Sequence, residues 1–201
     1  DIDDTIKHTH VIDRREMLLN TFTRPFEPVP GMAAFYEQLE DTAGPATRFH
    51  YVSGGPHQLW PMIESFLREH RFPEGSVHMR SINWRVEVFG ESTGTLGHKL
   101  TTIAGLLRDF PRRRFILVGD SGERDPEVYG QIAREFPAQV VAIYIRDVTG
   151  DARDGSRYGE AFRAVPPEVW SLFTDPASIE LPAGEGMVTT PRASTTPAPG
   201  G

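Results

Sequence analysis

Two continuous apolar runs, Arg114-Phe115-Ile116-Leu117-Val118 and Val140 to Ile145, each end at an acidic residue, Asp120 in the first case and Asp147 in the second. Runs this short and unbroken predict strands buried on both faces, as in a parallel sheet, and parallel neighbours need a crossover connection. Residues 126–136 lie between them and read as a helix, with Pro126 at an N-terminal position where a missing N–H costs nothing. This strand–helix–strand unit constrains the fold more than any other feature. It places the polar residues at the carboxyl ends of the strands, where open α/β sheets bind their ligands.

The same alternation runs through the rest of the chain. Gly31 to Asp41 puts Met32, Phe35, Tyr36 and Leu39 at helical spacing, and Phe49 to Val52 predicts a strand that ends in a sharp turn at Ser53-Gly54-Gly55-Pro56. Gln58 to His70 carries Leu59, Met62, Ile63, Phe66 and Leu67 on one face, with Pro61 tolerable only in the first turn. Residues 10–20 predict a short helix, and Thr21 to Pro30, with three prolines, an irregular loop. Residues 76–89 predict one or two short strands, and Gly97 to Phe110 a helix with Lys99 near its start. The fold class is α/β, a Rossmann-like open and mainly parallel sheet with helices on both faces.

Composition sets the outer limits. At 201 residues and 38% hydrophobic, the chain suits one domain, placed at residues 1–180, with a Pro-, Ala-, Gly-, Ser- and Thr-rich disordered tail at 181–201. The absence of cysteine excludes disulfides and thiolate metal sites but leaves the compartment open. A formal charge of -7 disfavours nucleic-acid partners, whose affinity rests on basic residues. No apolar run approaches the roughly 20 residues of a membrane span, so lipid contact is expected to be peripheral; a cytoplasmic or peripheral-membrane location is favoured, with any upstream targeting sequence not visible. Asp1-Ile2-Asp3-Asp4-Thr5 reads like the end of a strand, so upstream sequence, and a buried strand with it, is expected to be missing.

Chemistry-bearing residues collect at these strand ends. Asp1 and Asp3 share a face of an extended segment, and Gly119-Asp120-Ser121-Gly122-Glu123-Arg124-Asp125 adds two carboxylates separated by residues that let the loop curl. Carboxylates around one point repel unless a hard cation such as Mg²⁺ intervenes, and a divalent ion that also binds phosphoryl oxygen makes phosphoryl transfer the natural reaction class. Local alternatives exist for each group: a capping turn for Asp1 and Asp3, a helix-capping turn at Ser53, an exposed Lys99, and an N-cap role for Asp125. His8 and His10 lack further ligands at matching spacing, and His98 is ambiguous. Phe22, Phe26 and Trp60 suit a core better than a lipid surface, and Arg112-Arg113-Arg114 is the one short basic run.

In this order the motifs resemble those of the haloacid dehalogenase superfamily: Asp1-Ile2-Asp3-Asp4-Thr5, Ser53 after Tyr51-Val52, Lys99, and Gly119-Asp120 through Asp125. A closer resemblance, over roughly residues 1–150, is to the actin-patch-associated phosphatidate phosphatases, relatives of the lipin-type catalytic domain. Phe26 to Met32, Phe49 to Ser53, Gly119 to Glu127 and Ile143 to Asp147 carry it. Gly54-Gly55 departs from that family's small polar residues, and the hydrophobic strand before the first aspartate is absent. The resemblance implies a haloacid dehalogenase-like fold, and the connectors after the first and second motifs are too moderate in length for a full cap domain, so a small or absent cap and an open site are expected.

It also implies Mg²⁺-dependent hydrolysis of a phosphomonoester, most closely phosphatidate to diacylglycerol and phosphate. Asp1 would be the nucleophile, Asp3 the general acid and base, and Lys99 the neutralising charge. Ser53 and Gly54 would bind the phosphoryl group, and Asp1, Asp3, Asp120 and Asp125 would hold the metal. Asp4 and Glu123 are expected to be solvated neighbours. A phosphatase of soluble esters or phosphoproteins, and a noncatalytic lipid-binding module, are the competing readings.

Overall fold

The computed structural model describes residues 1–8, 26–81, 95–153 and 155–181. The expected helix at 10–20, Phe22, His10 and residues 82–89 lie outside them. In chain order the elements are β1 (Lys7–His8), β2 (Glu27–Pro28), α1 (Met32–Ala43), β3 (Phe49–Pro56), α2 (Trp60–Glu69), β4 (Gly75–Arg80), α3 (Thr95–Asp109) and β5 (Phe115–Asp120). They continue through α4 (Asp125–Glu135), β6 (Val140–Arg146), α5 (Ser156–Ala161) and β7 (Trp170–Phe173).

Both apolar runs become parallel strands joined through α4. β6 is the middle strand of β5-β6-β7, paired from Ile116↔Ala142 to Asp120↔Arg146 and from Ile143↔Trp170 to Arg146↔Phe173. β3 pairs in parallel with β4, and the two-residue strands β1 and β2 pair antiparallel. Alternate side chains of β6 enter opposite cores. Ala142 and Tyr144 join Phe35 and Tyr36 of α1 and Phe66 of α2, whereas Ile143 and Ile145 join Leu107 of α3, Ile132 of α4 and Tyr158 of α5. A central layer with helices on both faces is the Rossmann-like α/β arrangement that continuous apolar strands require.

The expected turn at Ser53-Gly54-Gly55-Pro56 is instead the end of β3. Pairing resumes at Pro56↔Arg80 after a register shift between Ser53 and Pro56. The glycines are absorbed there as a bulge, and the Gly55 N–H donates to Ser53 Oγ at 2.9 Å. Pro61 does fall in the first turn of α2. Phe26 and Trp60 pack partly buried against the first core, and Leu181, expected in the tail, does the same.

β3 and β5 do not pair with one another. Between them lies a cavity of about 540 Å³, lined by Phe49 and Val52 on one side and by Phe115 and Leu117 on the other. Asp1 is among its lining residues, and the Asp1 backbone nitrogen donates to Val118 O at 2.8 Å. Arg112, Arg113 and Arg114 stand at its lining. Among the described residues no helix is long and apolar enough to cross a membrane.

Candidate active site

The carboxyl ends of β5 and β6 and the first residues of the chain meet at one point. Asp120 is the last residue of β5 and Asp125 the first of α4, so the loop between them folds back over the strand end. That return demands glycine at 119, because an added Cβ would collide with the Asp125 carboxylate and come within 2.7 Å of the Tyr129 ring. Gly122 and Glu123 N–H groups donate to Asp120 Oδ1 at 2.6 and 3.0 Å, and the Asp120 N–H donates to Asp125 Oδ2 at 3.2 Å. Asp125 is therefore turned into the site and does not cap α4; Arg124 occupies that position without a side-chain bond.

One oxygen each of Asp1, Asp120 and Asp125 lies within 4.8 Å of the others. Lys99, 2% exposed, reaches all the way into this cluster from α3. Its Nζ lies 2.6 Å from Asp125 Oδ1, 2.8 Å from Glu123 Oε2 and 2.7 Å from Asp1 Oδ1, the last an ion contact without a hydrogen bond. Glu123 is thus a salt-bridge partner of Lys99 and no mere solvated neighbour, although it stays 41% exposed. Thr5, fully buried, can donate its hydroxyl to Asp1 Oδ2 at 3.0 Å or to Asp120 Oδ2 at 3.4 Å.

Burial and then the Asp125 charge push the Asp120 carboxyl up to about 7. Burial works against the Lys99 ammonium, but Asp125, Tyr129 and Glu123 outweigh it and hold the lysine charged above its ordinary range. One buried lysine facing three buried carboxylates leaves negative charge in excess. Asp1 Oδ1 is also buried without a hydrogen bond. A hard divalent cation, which takes oxygen ligands and offsets this charge, fits the donor set.

Asp3, also expected among the metal ligands, is not one of the three carboxylates within 4.8 Å of one another. Its Oδ1 lies 2.7 Å from Lys7 Nζ and its Oδ2 accepts from Ser53 Oγ at 3.0 Å, with the side chain 24% exposed. Ser53 is buried and Gly54 half-buried beside it. At the centre of the site the Asp1 side chain is 1% exposed. His8 pairs in the ladder with Glu27, and His98 is half-buried with its Nε2 unbonded.

Four contributors had no assigned role from sequence: Thr5, Glu123, Arg146 and Arg157. Thr5 and Glu123 stand inside motifs already singled out, so their position carried the signal. Arg146 Nη1 donates to Asp4 O at 2.7 Å, and Arg157 Nη1 donates to Ser121 O at 2.6 Å. Those contacts span long stretches of sequence and leave no local trace.

Residues 1–147 match the family model described as the phosphatidate phosphatase APP1 catalytic domain. The phosphatidate phosphatase APP1 of Saccharomyces cerevisiae is 38% identical over 165 residues, which cover 80% of this chain and 27% of that protein. An uncharacterized protein of Schizosaccharomyces pombe is 30% identical over 155 residues, or 75% of this chain and 25% of its own length. The chain therefore spans about a quarter of the relatives it matches. No solved structure matches it. With the match covering every residue of the carboxylate cluster, the chain belongs to the family of the APP1 phosphatidate phosphatase catalytic domain.

Proposed function

We propose that this chain is a Mg²⁺-dependent phosphomonoester hydrolase acting through an aspartyl phosphate, with phosphatidate as its substrate and residues 1–180 as its catalytic unit. The observation that carries the reading is the convergence of Asp1, Asp120 and Asp125 on the buried Lys99 in a member of this family. Asp1, Asp120 and Asp125 would hold Mg²⁺, which when bound neutralises the carboxylates and polarises a phosphoryl oxygen.

The chain's own residues divide the remaining work. The Asp1 carboxylate, ionised without help from a base, forms a bond to phosphorus while the ester bond to the glycerol oxygen breaks. Asp3 gives that oxygen its proton, so diacylglycerol leaves as the alcohol. Asp3 then takes a proton from water, whose oxygen attacks phosphorus, frees Asp1 and releases phosphate. Lys7 holds Asp3 Oδ1, and Ser53, which donates to Asp3 Oδ2 in the free site, turns its one hydroxyl proton to the phosphoryl group and leaves Oδ2 open for the transfer. Ser53 and Gly54 bind the phosphoryl group, and Lys99 neutralises the charge it adds to the cluster. Because the substrate resides in a bilayer, contact with the membrane is peripheral.

The test is Mg²⁺-dependent phosphate release from phosphatidate in mixed micelles, beside a panel of soluble phosphomonoesters, for the wild type and Asp1→Asn. Selective release from phosphatidate that disappears in Asp1→Asn is expected. Release from soluble esters alone would reject the lipid substrate and keep the mechanism. Activity surviving in Asp1→Asn would reject the nucleophile, and lipid binding without hydrolysis would point to a noncatalytic module.

A further inference from the structure

Arg157 lies outside every motif, yet its guanidinium spans the loop between Asp120 and Asp125. Nη1 donates to Ser121 O and Nη2 to Glu123 O, each at 2.6 Å. Nε donates to Glu127 Oε1 at 3.1 Å and Nη2 to Glu127 Oε2 at 3.4 Å, while Asp151 Oδ2 is 3.6 Å from Nη1. Ser121 O and the Gly122 N–H belong to one peptide group. Arg157 holds the carbonyl end of that group, and the amide end donates to Asp120 Oδ1 at 2.6 Å.

The positive guanidinium and the negative carboxylate thus sit at opposite ends of one aligned peptide dipole. A charged donor makes the stronger kind of hydrogen bond and draws electron density toward the carbonyl, which strengthens the N–H as a donor. Ser121 is anchored separately, with its N–H donating to Arg146 O at 2.9 Å and its hydroxyl accepting from Val148 N at 2.9 Å. What remains to be set is the orientation of the following peptide plane. Gly122 alone leaves that plane free to turn, because no side chain restricts it. A turned plane would aim a carbonyl at Asp120 Oδ1.

We infer that Arg157 is a positioning residue for Asp120, acting through the Ser121–Gly122 peptide so that Asp120 Oδ1 is committed to the loop and Oδ2 faces the carboxylate cluster. The inference rests on the proposed function for its consequence in metal binding, and on the geometry alone for its effect on the peptide. Glu127 fixes the guanidinium from α4, so the arrangement is a carboxylate–guanidinium–peptide–carboxylate chain. Lysine, a single point charge, cannot span two carbonyls and Glu127 together.

The experiment compares the wild type with Arg157→Gln and Arg157→Lys in three readouts. In metal-free protein, amide exchange at Gly122 should quicken about tenfold or more in both variants, as expected for loss of a local protecting bond. By calorimetry Mg²⁺ should bind Arg157→Gln roughly 10–100-fold more weakly, the usual effect of removing a residue that orients a metal ligand. In phosphate release kcat should fall while KM stays nearly unchanged. Added guanidinium should restore both slow exchange and Mg²⁺ affinity to Arg157→Ala, since the side chain is 28% exposed and the gap is reachable.

A lower melting temperature with wild-type Gly122 exchange and Mg²⁺ affinity would overturn the inference and leave Arg157 a packing residue. Wild-type protein that binds no Mg²⁺ would reject the proposed function, and the Gly122 exchange contrast would still decide the role of Arg157.

Discussion

Replacing Lys99 with methionine removes a buried cation that meets three carboxylates of the site while keeping similar side-chain length. Its Nζ lies between 2.6 and 2.8 Å from Asp125, Asp1 and Glu123, and only 2% of the residue is exposed. Taking one partner from a buried pair strands the others uncompensated, and such losses run to about 3–5 kcal/mol. For a chain of this length that corresponds to a fall in Tm of roughly 6–20 °C. The penalty depends on pH through the carboxylates. Lys99 is held above its ordinary range and remains charged from acid to pH 8, but Asp120, pushed up to about 7, takes a proton as pH falls and relieves the repulsion. The loss should therefore be full at pH 8 and smaller at pH 5.5, and excess Mg²⁺ should recover part of it. Denaturant unfolding in EDTA at both values, followed by circular dichroism, measures it. A Lys99→Met protein within about 1 kcal/mol of wild type at pH 8, below the range for a broken buried pair, would refute this account of the site.

Asp120→Asn isolates one titration. A carboxyl raised from 3.8 to about 7 on folding stabilises fully below 3.8 and loses that contribution as pH rises through 7. Wild type should thus lose stability between pH 4 and 7 relative to Asp120→Asn in urea unfolding without metal, and parallel pH slopes would count against the shift. Gly119→Ala should cost about 1–3 kcal/mol by overpacking against the Asp125 carboxylate and Tyr129, and should weaken Mg²⁺ binding in calorimetry. Phe35→Ala, emptying a 3% exposed site that meets Tyr144 edge-on at 5.7 Å, should cost about 3–5 kcal/mol in unfolding without altering metal affinity.

The parts of the fold that were legible in sequence are those whose signal is local. Phe115–Val118 and Val140–Ile145 are apolar on every residue and feed cores on both faces of their sheet. The end of β3 was misread because Gly-Gly-Pro signals a turn, whereas the parallel partner β4 keeps the chain extended and turns only the Gly55 N–H aside. Asp1, Asp120 and Asp125 were legible as carboxylates at strand ends. The separate location of Asp3 was not, since Lys7 and Ser53 reach it from β1 and β3 and that meeting is set by the sheet. Glu123 was read as solvated because its own segment gives no hint of Lys99, 24 residues away. Arg157 is the extreme case, joining α5 to a loop more than 30 residues earlier through backbone carbonyls, which carry no sequence identity at all.

Lys7 and Lys99 are the only lysines of the chain, and both end in the site. They serve different carboxylates in different surroundings. Lys99 is sunk among Asp1, Asp125 and Glu123, where the Asp1 side chain is 1% exposed, while Lys7 meets Asp3 at a position 24% exposed and lies 4.2 Å over the Phe26 ring. Two carboxylates two residues apart are thereby given separate environments, one buried and shared with potential metal ligands, the other reachable by water and met by the Ser53 hydroxyl and the Lys7 ammonium. A nucleophile must stay ionised and shielded from water until substrate arrives, and an acid/base must exchange its proton with solvent between steps. Distinct environments suit neighbouring carboxylates to distinct roles, and in the proposed mechanism the division between Asp1 and Asp3 follows the lysine each one meets.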